Sequence, residues 1–161
     1  MELIAEEKII NAFNTWLIKY GFSARVIGLD TEFCWYKNTD EIGVSFVETA
    51  DTISSWNKFF LDELNCSYVV DVFYTSFLHE LGHSNTWHLV SEEESEIETI
   101  GMEDEEYFHL PRELIASKWA VNYINKNVDA VAELIRLVGE AINFFVEANN
   151  IELDEGGFTN V

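Results

Sequence analysis

Basic residues are scarce in this chain of 161 residues, which holds 9 Lys and Arg against 30 Asp and Glu. The formal net charge of -21 repels nucleic acid and anionic membranes, and it attracts basic partners. The composition therefore argues against direct binding of DNA or RNA. It fits plain solubility, and it also fits a partner or substrate protein with a positively charged surface.

Cysteine is almost absent as well, because Cys34 and Cys66 are the two in the chain and they form no CxxC pair. Two isolated cysteines fit a reducing cytosol, although the sequence leaves a single disulfide open. Residues 1–10 are acidic and amphipathic, unlike a signal peptide, and no apolar run is long enough to span a bilayer. We therefore expect a cytoplasmic protein without membrane association.

The hydrophobic content of 48% is enough to bury one core, so one domain is expected over residues 1–150, followed by a flexible tail at 151–161. Apolar residues recur at helical spacing over 2–20, and Gly21 is placed to end that helix. Short β-branched and aromatic runs between 24 and 48 predict two or three antiparallel strands.

Four further helices are expected after the strands. Asp51 and Thr52 can cap the first of them, and Pro111 suits the first residue of the third. A long acidic segment covers 88–110. The order of helix, strands and then helices predicts an α+β fold. The expected helical ranges are 53–64, 69–84, 111–125 and 128–148, the last with Phe145 among its buried residues.

The stretch "SFLHELGHSNTWH" at 76–88 contains a His-Glu-Leu-Gly-His motif. Positions i and i+4 share one face of a helix, so His79 and His83 can hold one metal ion. Glu80 lies about 100° round the helix, where its carboxylate can accept a proton from a metal-bound water. Zinc suits this chemistry because it lowers the pKa of bound water toward about 7. Gly82 lets another backbone come close to this helix.

A catalytic zinc needs a third protein ligand beyond the two histidines. His88 comes five residues after His83, whereas the metzincin pattern requires six and a glycine at the position of Thr86. His109 can reach the site from a loop. Glu113 lies in the first turn of a predicted helix whose small residues, three and seven positions later, permit close packing. This glutamate is therefore the best geometric candidate, with His109 next.

The helix of Glu113 also carries a resemblance to a known family. HELGH followed by E-x-x-A-x-x-W-A resembles the small gluzincin metallopeptidases of the ImmA/IrrE type, whose second helix commonly reads E-x-E-A-N-x-F-A. Ile115 and Ser117 stand where that family usually has Glu and Asn. The residues that match the frame are Glu113, Ala116, Trp119 and Ala120.

This resemblance implies a zincin-like single domain with an N-terminal helix, a small antiparallel sheet, an active-site helix, a glutamate-ligand helix and a C-terminal helix. It implies that His79, His83 and Glu113 bind zinc and that Glu80 is the catalytic base. It further implies a metalloendopeptidase of phage or mobile-element type that cleaves a specific intracellular protein.

Peptide hydrolysis also needs a hydrogen-bond donor for the oxyanion of the tetrahedral intermediate. Tyr107 and His109 are the candidates for this catalytic role, because they lie in the segment that leads into the helix of Glu113. His88 and Tyr123 are further donors in the chain. A strand in the 42–48 region could pair along its edge with an extended peptide substrate.

Nine acidic residues and no basic residue lie between Glu92 and Glu106. This segment is either a solvated loop or a negative rim that steers a basic substrate toward the metal. Its glutamates are weaker ligand candidates because no rigid scaffold is evident for them. The alternative function is an acidic decoy that inhibits a basic nucleic-acid-binding partner and uses the zincin fold as a scaffold.

Overall fold

The molecule is described here from a computed structural model. Its fold is α+β, as predicted, with a long N-terminal helix, three short strands and then a series of helices. The predicted tail at 151–161 and the predicted burial of Phe145 lie outside the described residues. The structure describes residues 2–46 and 50–149, with side chains for residues 6–46, 53–144 and 146–147.

The helices end close to the predicted positions, and local chemistry explains why. Gly21 adopts a φ of 79° just after α1, and Pro111 is the first residue of α6. The Asp71 carboxylate accepts a hydrogen bond of 2.9 Å from the backbone N–H of Phe73 and caps α3. The helices are α1 (Glu2–Lys19), α2 (Ala50–Lys58), α3 (Val72–Thr86), α4 (Glu92–Ser95), α5 (Asp104–Phe108), α6 (Pro111–Lys126) and α7 (Val128–Asn149).

Two parts of the helical prediction are wrong. α2 already includes Asp51 and Thr52, before the predicted start at residue 53, and a π-helical turn (Phe59–Glu63) continues it. The acidic segment is not a plain loop, because it contains α4 and α5. The Ser91 hydroxyl caps α4 by accepting a hydrogen bond from the backbone N–H of Glu94. Acidic side chains in the first turn of α4 and of α5 interact favourably with the positive end of each helix dipole.

The three strands form one mixed sheet in the order β1–β3–β2, with β1 at Arg25–Leu29, β2 at Cys34–Tyr36 and β3 at Glu41–Val44. β2 pairs antiparallel with β3, whereas β1 pairs parallel with β3. The prediction of an antiparallel sheet is therefore wrong for β1. The turn at 37–40 reverses the chain, so that β3 runs antiparallel to β2 and parallel to β1.

This strand order also corrects the predicted substrate edge. β3 lies between β1 and β2, so both of its edges are already hydrogen-bonded within residues 41–44. The strand next to α3 is β2, which is an edge strand of the sheet. An extended peptide near the His-Glu-Leu-Gly-His motif would therefore meet β2 and not β3, and residues 47 and 48 of the predicted region lie outside the described residues.

Two helix pairs build the core around this sheet. α1 packs against α7 and β1, and α3 packs against α6. Trp16 of α1 is fully buried, and its indole N–H donates a hydrogen bond of 2.7 Å to the carbonyl of Ala130 in α7. None of the helices in the described part of the chain combines the length and apolar character that a bilayer crossing requires.

α3 and α6 approach each other closely at Gly82. A Cβ atom built on Gly82 would lie 2.4 Å from the carbonyl oxygen of Ala116, a distance that real Cβ atoms do not adopt. The backbones of the two helices therefore touch at this point, as the glycine and the small residues of α6 predicted. This contact fixes the distance and the rotation of α6 relative to the histidines of α3.

We expect Gly82→Ala to lower the free energy of unfolding by about 1–3 kcal/mol, because overpacking outweighs the better helix propensity of alanine. Gly28→Ala is the matched control, since a Cβ there meets no atom within 4 Å. Urea unfolding followed by circular dichroism measures both. A Gly82→Ala protein as stable as the Gly28→Ala protein would contradict the backbone contact.

Candidate metal centre

One face of α3 presents two buried histidines to the same point. His79 and His83 are 4% and 7% exposed, and their ring centroids lie 4.7 Å apart at an angle of 85°. Trp56 packs edge-on against His79 at 5.1 Å, and Trp35 of β2 lies parallel to the ring of His83 at 6.2 Å. The i, i+4 spacing and these aromatic contacts hold the two imidazoles in a defined orientation.

Glu113 faces both histidines from the first turn of α6. Its Oε1 atom lies 3.0 Å from Nε2 of His79 and 3.0 Å from Nε2 of His83. The side chain is buried, with 4% of the residue exposed. The Gly82–Ala116 contact explains this meeting, because Ala116 follows Glu113 by one helical turn and Gly82 precedes His83 directly.

The chemistry of these groups fits a metal ion. Nδ1 of His79 lies 2.8 Å from the Ser117 hydroxyl; with the Nδ1–H assigned as donor to that oxygen, Nε2 of the neutral ring carries a lone pair. In that tautomer Nε2 and the Glu113 carboxylate both present lone pairs, which a bound cation would satisfy together. Without a metal, a proton on Nε2 makes the same 3.0 Å contact a hydrogen bond. Two imidazoles and one carboxylate are a zinc-ligand set that leaves a position open.

Glu80 belongs to the same cluster. Ligand atoms of His79, Glu80 and His83 all lie within 4.8 Å of one another, a grouping that could hold a metal ion. Glu113 Oε1 lies 3.0 Å from both Nε2 atoms. Two carboxylates, those of Glu80 and Glu113, therefore stand beside the two imidazoles.

Charge and burial compete at the two carboxylates. Burial alone would raise the pKa of Glu113, but hydrogen bonds and charge from His79 and His83 hold that pKa well below its usual range. Burial also opposes the charged form of His83, yet Glu113 raises its pKa. At Glu80 burial prevails and raises the carboxyl pKa, although the histidines and a hydrogen bond from the Trp35 backbone act against it. Glu80 is thus the carboxylate more ready to take up a proton.

A hollow of about 270 Å³ opens beside these groups. Its lining includes Cys34 and Trp35 of β2, together with Tyr107 and Arg112. Burial and the charges of Glu113 and Glu80 raise the pKa of Tyr107 well above its usual range. Tyr107 is therefore a neutral hydrogen-bond donor at the edge of the hollow.

Arg112 connects Glu113 to the acidic segment. Its Nε donates to Glu113 Oε2 at 3.2 Å, while its Nη1 and Nη2 donate to the backbone carbonyls of Glu94 and Ile97 at 2.8 and 3.1 Å. The residue is 9% exposed. These bonds hold the second oxygen of Glu113, so that Oε1 faces the histidines, and they fix residues 94–97 beside the site.

Asp40 orients the tryptophan that covers His83. Its Oδ1 accepts hydrogen bonds from Trp35 Nε1 at 2.8 Å and from Ser84 Oγ at 2.6 Å, which joins the sheet to α3 one residue after His83. The residue has a φ of 54°, a left-handed conformation that Asp tolerates better than most residues. The turn "KNTD" indicated the bend, but nothing in the sequence pointed to these partners.

The structure brings together some of the predicted site residues and separates others. His79, Glu80, His83, Tyr107 and Glu113 meet around one point. His109 does not join them: it is exposed, its Nε2 contacts Glu63, and its Nδ1–H donates to the carbonyl of Glu105 at 2.6 Å. Its place before Pro111 suggested proximity, but α5 directs its ring away from the metal ligands.

The remaining donors also lie apart from the cluster. His88 is exposed in the 3-10 turn that follows α3. Tyr123 stacks on Trp119 at 5.2 Å and meets Trp16 edge-on, so it is part of the packing around the core. Ser117 and Arg112 are among the site residues that sequence reasoning missed, as are Trp35, Asp40 and Trp56. Ser117 was visible in the sequence as a departure from the family frame, at the position where the family usually has Asn.

Comparison of this chain with protein-family models, with curated proteins and with solved structures finds no match. The structure itself has an α+β fold and a His-Glu-His cluster, with both histidines buried, that could bind a metal ion.

We expect Zn²⁺ to bind with one ion per chain and to raise the stability by about 2.7 kcal/mol at a free concentration of about 100 times Kd. Glu113→Gln removes a charged oxygen ligand, so the zinc affinity should fall at least about tenfold. Glu106→Gln, an exposed change nearby, should leave it unaltered. Isothermal titration and metal analysis measure both, and equal affinities in the two variants would contradict a ligand role for Glu113.

We expect Arg112→Gln to make residues 94–97 of the acidic segment more mobile. Loss of the bonds to Glu94 and Ile97 should speed hydrogen exchange of the amides of Ser95, Glu96 and Ile97 about tenfold. Lys118→Gln, an exposed change on the same helix, is the control. Unchanged exchange in Arg112→Gln would show that Arg112 does not hold the segment.

Proposed function

We propose that this chain is a zinc-dependent metalloendopeptidase with a zincin-like fold of the ImmA/IrrE gluzincin type. The observation that carries the proposal is the single carboxylate oxygen of Glu113, 3.0 Å from Nε2 of both His79 and His83. The three side chains come from α3 and α6, the two helices that carry the His-Glu-Leu-Gly-His motif and the E-x-x-A-x-x-W-A frame. A buried set of this kind is costly for stability alone, which supports a role in chemistry.

The ligand set would hold zinc through His79, His83 and Glu113, and bound zinc would lower the pKa of water and polarise the scissile carbonyl. Ser117 orients His79, and Arg112 orients Glu113. Such partners keep ligand atoms directed at the ion, which is why their loss reduces metal affinity.

Glu80 is the general base of the proposed reaction. Its carboxylate lies within the cluster, and burial raises its pKa, which suits a group that first accepts a proton and then gives it to the leaving amine. Tyr107 is the oxyanion donor, because its hydroxyl stays neutral and lines the hollow where substrate would bind. His109 has no role in this scheme.

The substrate is a segment of an intracellular protein bound in extended form. β2 is the edge strand beside α3, and Cys34 and Trp35 line the hollow next to Glu80 and His83. Pairing along such an edge supplies backbone hydrogen bonds without regard to sequence, so neighbouring pockets must supply the selectivity. The net charge of -21 favours a basic substrate protein.

The acidic decoy remains the alternative, because Glu92, Glu93, Glu96 and Glu98 are exposed on one side of the site. It predicts that function survives loss of the general base and fails when these four glutamates are neutralised. Its binding would weaken steeply with salt. The peptidase proposal makes the opposite prediction for the general base.

We expect Glu80→Gln to reduce cleavage of a fluorogenic peptide library by at least about 100-fold, because general-base catalysis contributes that much or more. The variant should keep one zinc per chain, since Glu80 is not a ligand in this proposal. Glu106→Gln serves as the control that keeps full activity. A zinc-loaded Glu80→Gln protein that cleaves as fast as the unchanged chain would refute the proposed reaction.

A further inference from the structure

A groove of about 460 Å³ lies between α5 and the end of α2 with its π-helical turn. Asp104, Glu105 and Phe108 of α5 line it, whereas Tyr107 of the same helix lines the hollow beside the metal ligands. The two hollows share no lining residue. The groove is thus a separate surface feature that the proposed hydrolysis does not use.

The floor of the groove is aromatic. Phe59 and Phe108 stack with ring centroids 5.1 Å apart at an angle of 27°, and they are 4% and 8% exposed. Trp56 backs Phe108 edge-on at 5.4 Å. A packed floor of this kind can receive an apolar side chain without rearrangement, because its rings are already held in place.

The rim of the groove is acidic. Asp62, Glu63, Asp104 and Glu105 all line it and are exposed. Glu63 contacts His109, but no cation within the described part of the chain lies at ion-pair distance from the other three carboxylates. Lys58 is the remaining charged residue of the lining, so the rim keeps an excess of negative charge.

We propose that this groove is a docking surface for a basic segment of a partner protein. An apolar side chain of the segment lies on Phe59 and Phe108, and flanking Lys or Arg side chains pair with Asp62, Asp104 and Glu105. The aromatic floor selects against a purely ionic ligand such as a polyamine, and the acidic rim selects against acidic segments. This binding does not depend on zinc or on cleavage.

The test uses two acetylated and amidated pentapeptides, Lys-Lys-Phe-Lys-Lys and Lys-Lys-Ala-Lys-Lys, titrated calorimetrically into the full chain. The Phe peptide should bind about tenfold more tightly, because the floor buries its ring. Asp62→Asn combined with Glu105→Gln should weaken the Phe peptide about tenfold. Glu96→Gln combined with Glu98→Gln removes the same total charge outside the groove and should change the affinity less than about twofold.

Two results would overturn the proposal. Equal affinity for the Phe and Ala peptides would show that the aromatic floor receives no side chain. The groove would then bind only the charges of its ligand, as it would bind a polyamine. Equal weakening by both double variants would show only diffuse attraction to an acidic chain. All four substitutions lie at exposed positions, and circular dichroism checks that the variants fold. Because Glu80→Gln should bind the Phe peptide normally, failure of the peptidase proposal would leave this result standing.

Discussion

The contact between the backbones of Gly82 and Ala116 is the constraint on which the rest of the site depends. It lets α3 and α6 approach until the carboxylate of Glu113 reaches both Nε2 atoms of the histidines. A side chain at position 82 would push the two helices apart. The side chain of Glu113 is too short to reach both histidines after such a shift. The small residues of the motif are therefore as necessary to the proposed metal centre as the ligands themselves.

The site gathers ionisable groups where burial makes them expensive. Glu113, His83 and Arg112 are each at most 9% exposed, and their mutual hydrogen bonds offset much of the desolvation cost. Replacing such a cluster with apolar residues is often neutral or stabilising, so stability alone does not explain it. Nδ1 of His83 has no hydrogen-bond partner among the described residues, which is a further cost. The proposed metal-binding function would account for this cost.

Sequence reasoning succeeded where spacing along one helix determines the geometry. The i, i+4 histidines, Gly82 and the small residues after Glu113 follow from helical periodicity, and Pro111 marked the start of α6. It failed where the geometry depends on contacts between elements. The parallel pairing of β1, the bonds of Arg112 to the acidic segment and the position of Asp40 arise from tertiary packing, which local patterns do not encode. His109 shows the same limit, because a short helix turned it away from residues that are close in sequence.

Anomalous diffraction at the zinc absorption edge, from crystals grown with zinc, tests the central claim that these three side chains form one metal centre. The account predicts one strong peak bonded to Nε2 of His79, Nε2 of His83 and a carboxylate oxygen of Glu113, at about 2.0–2.2 Å. A zinc peak elsewhere in the molecule, or an empty cluster in zinc-saturated crystals, would contradict it.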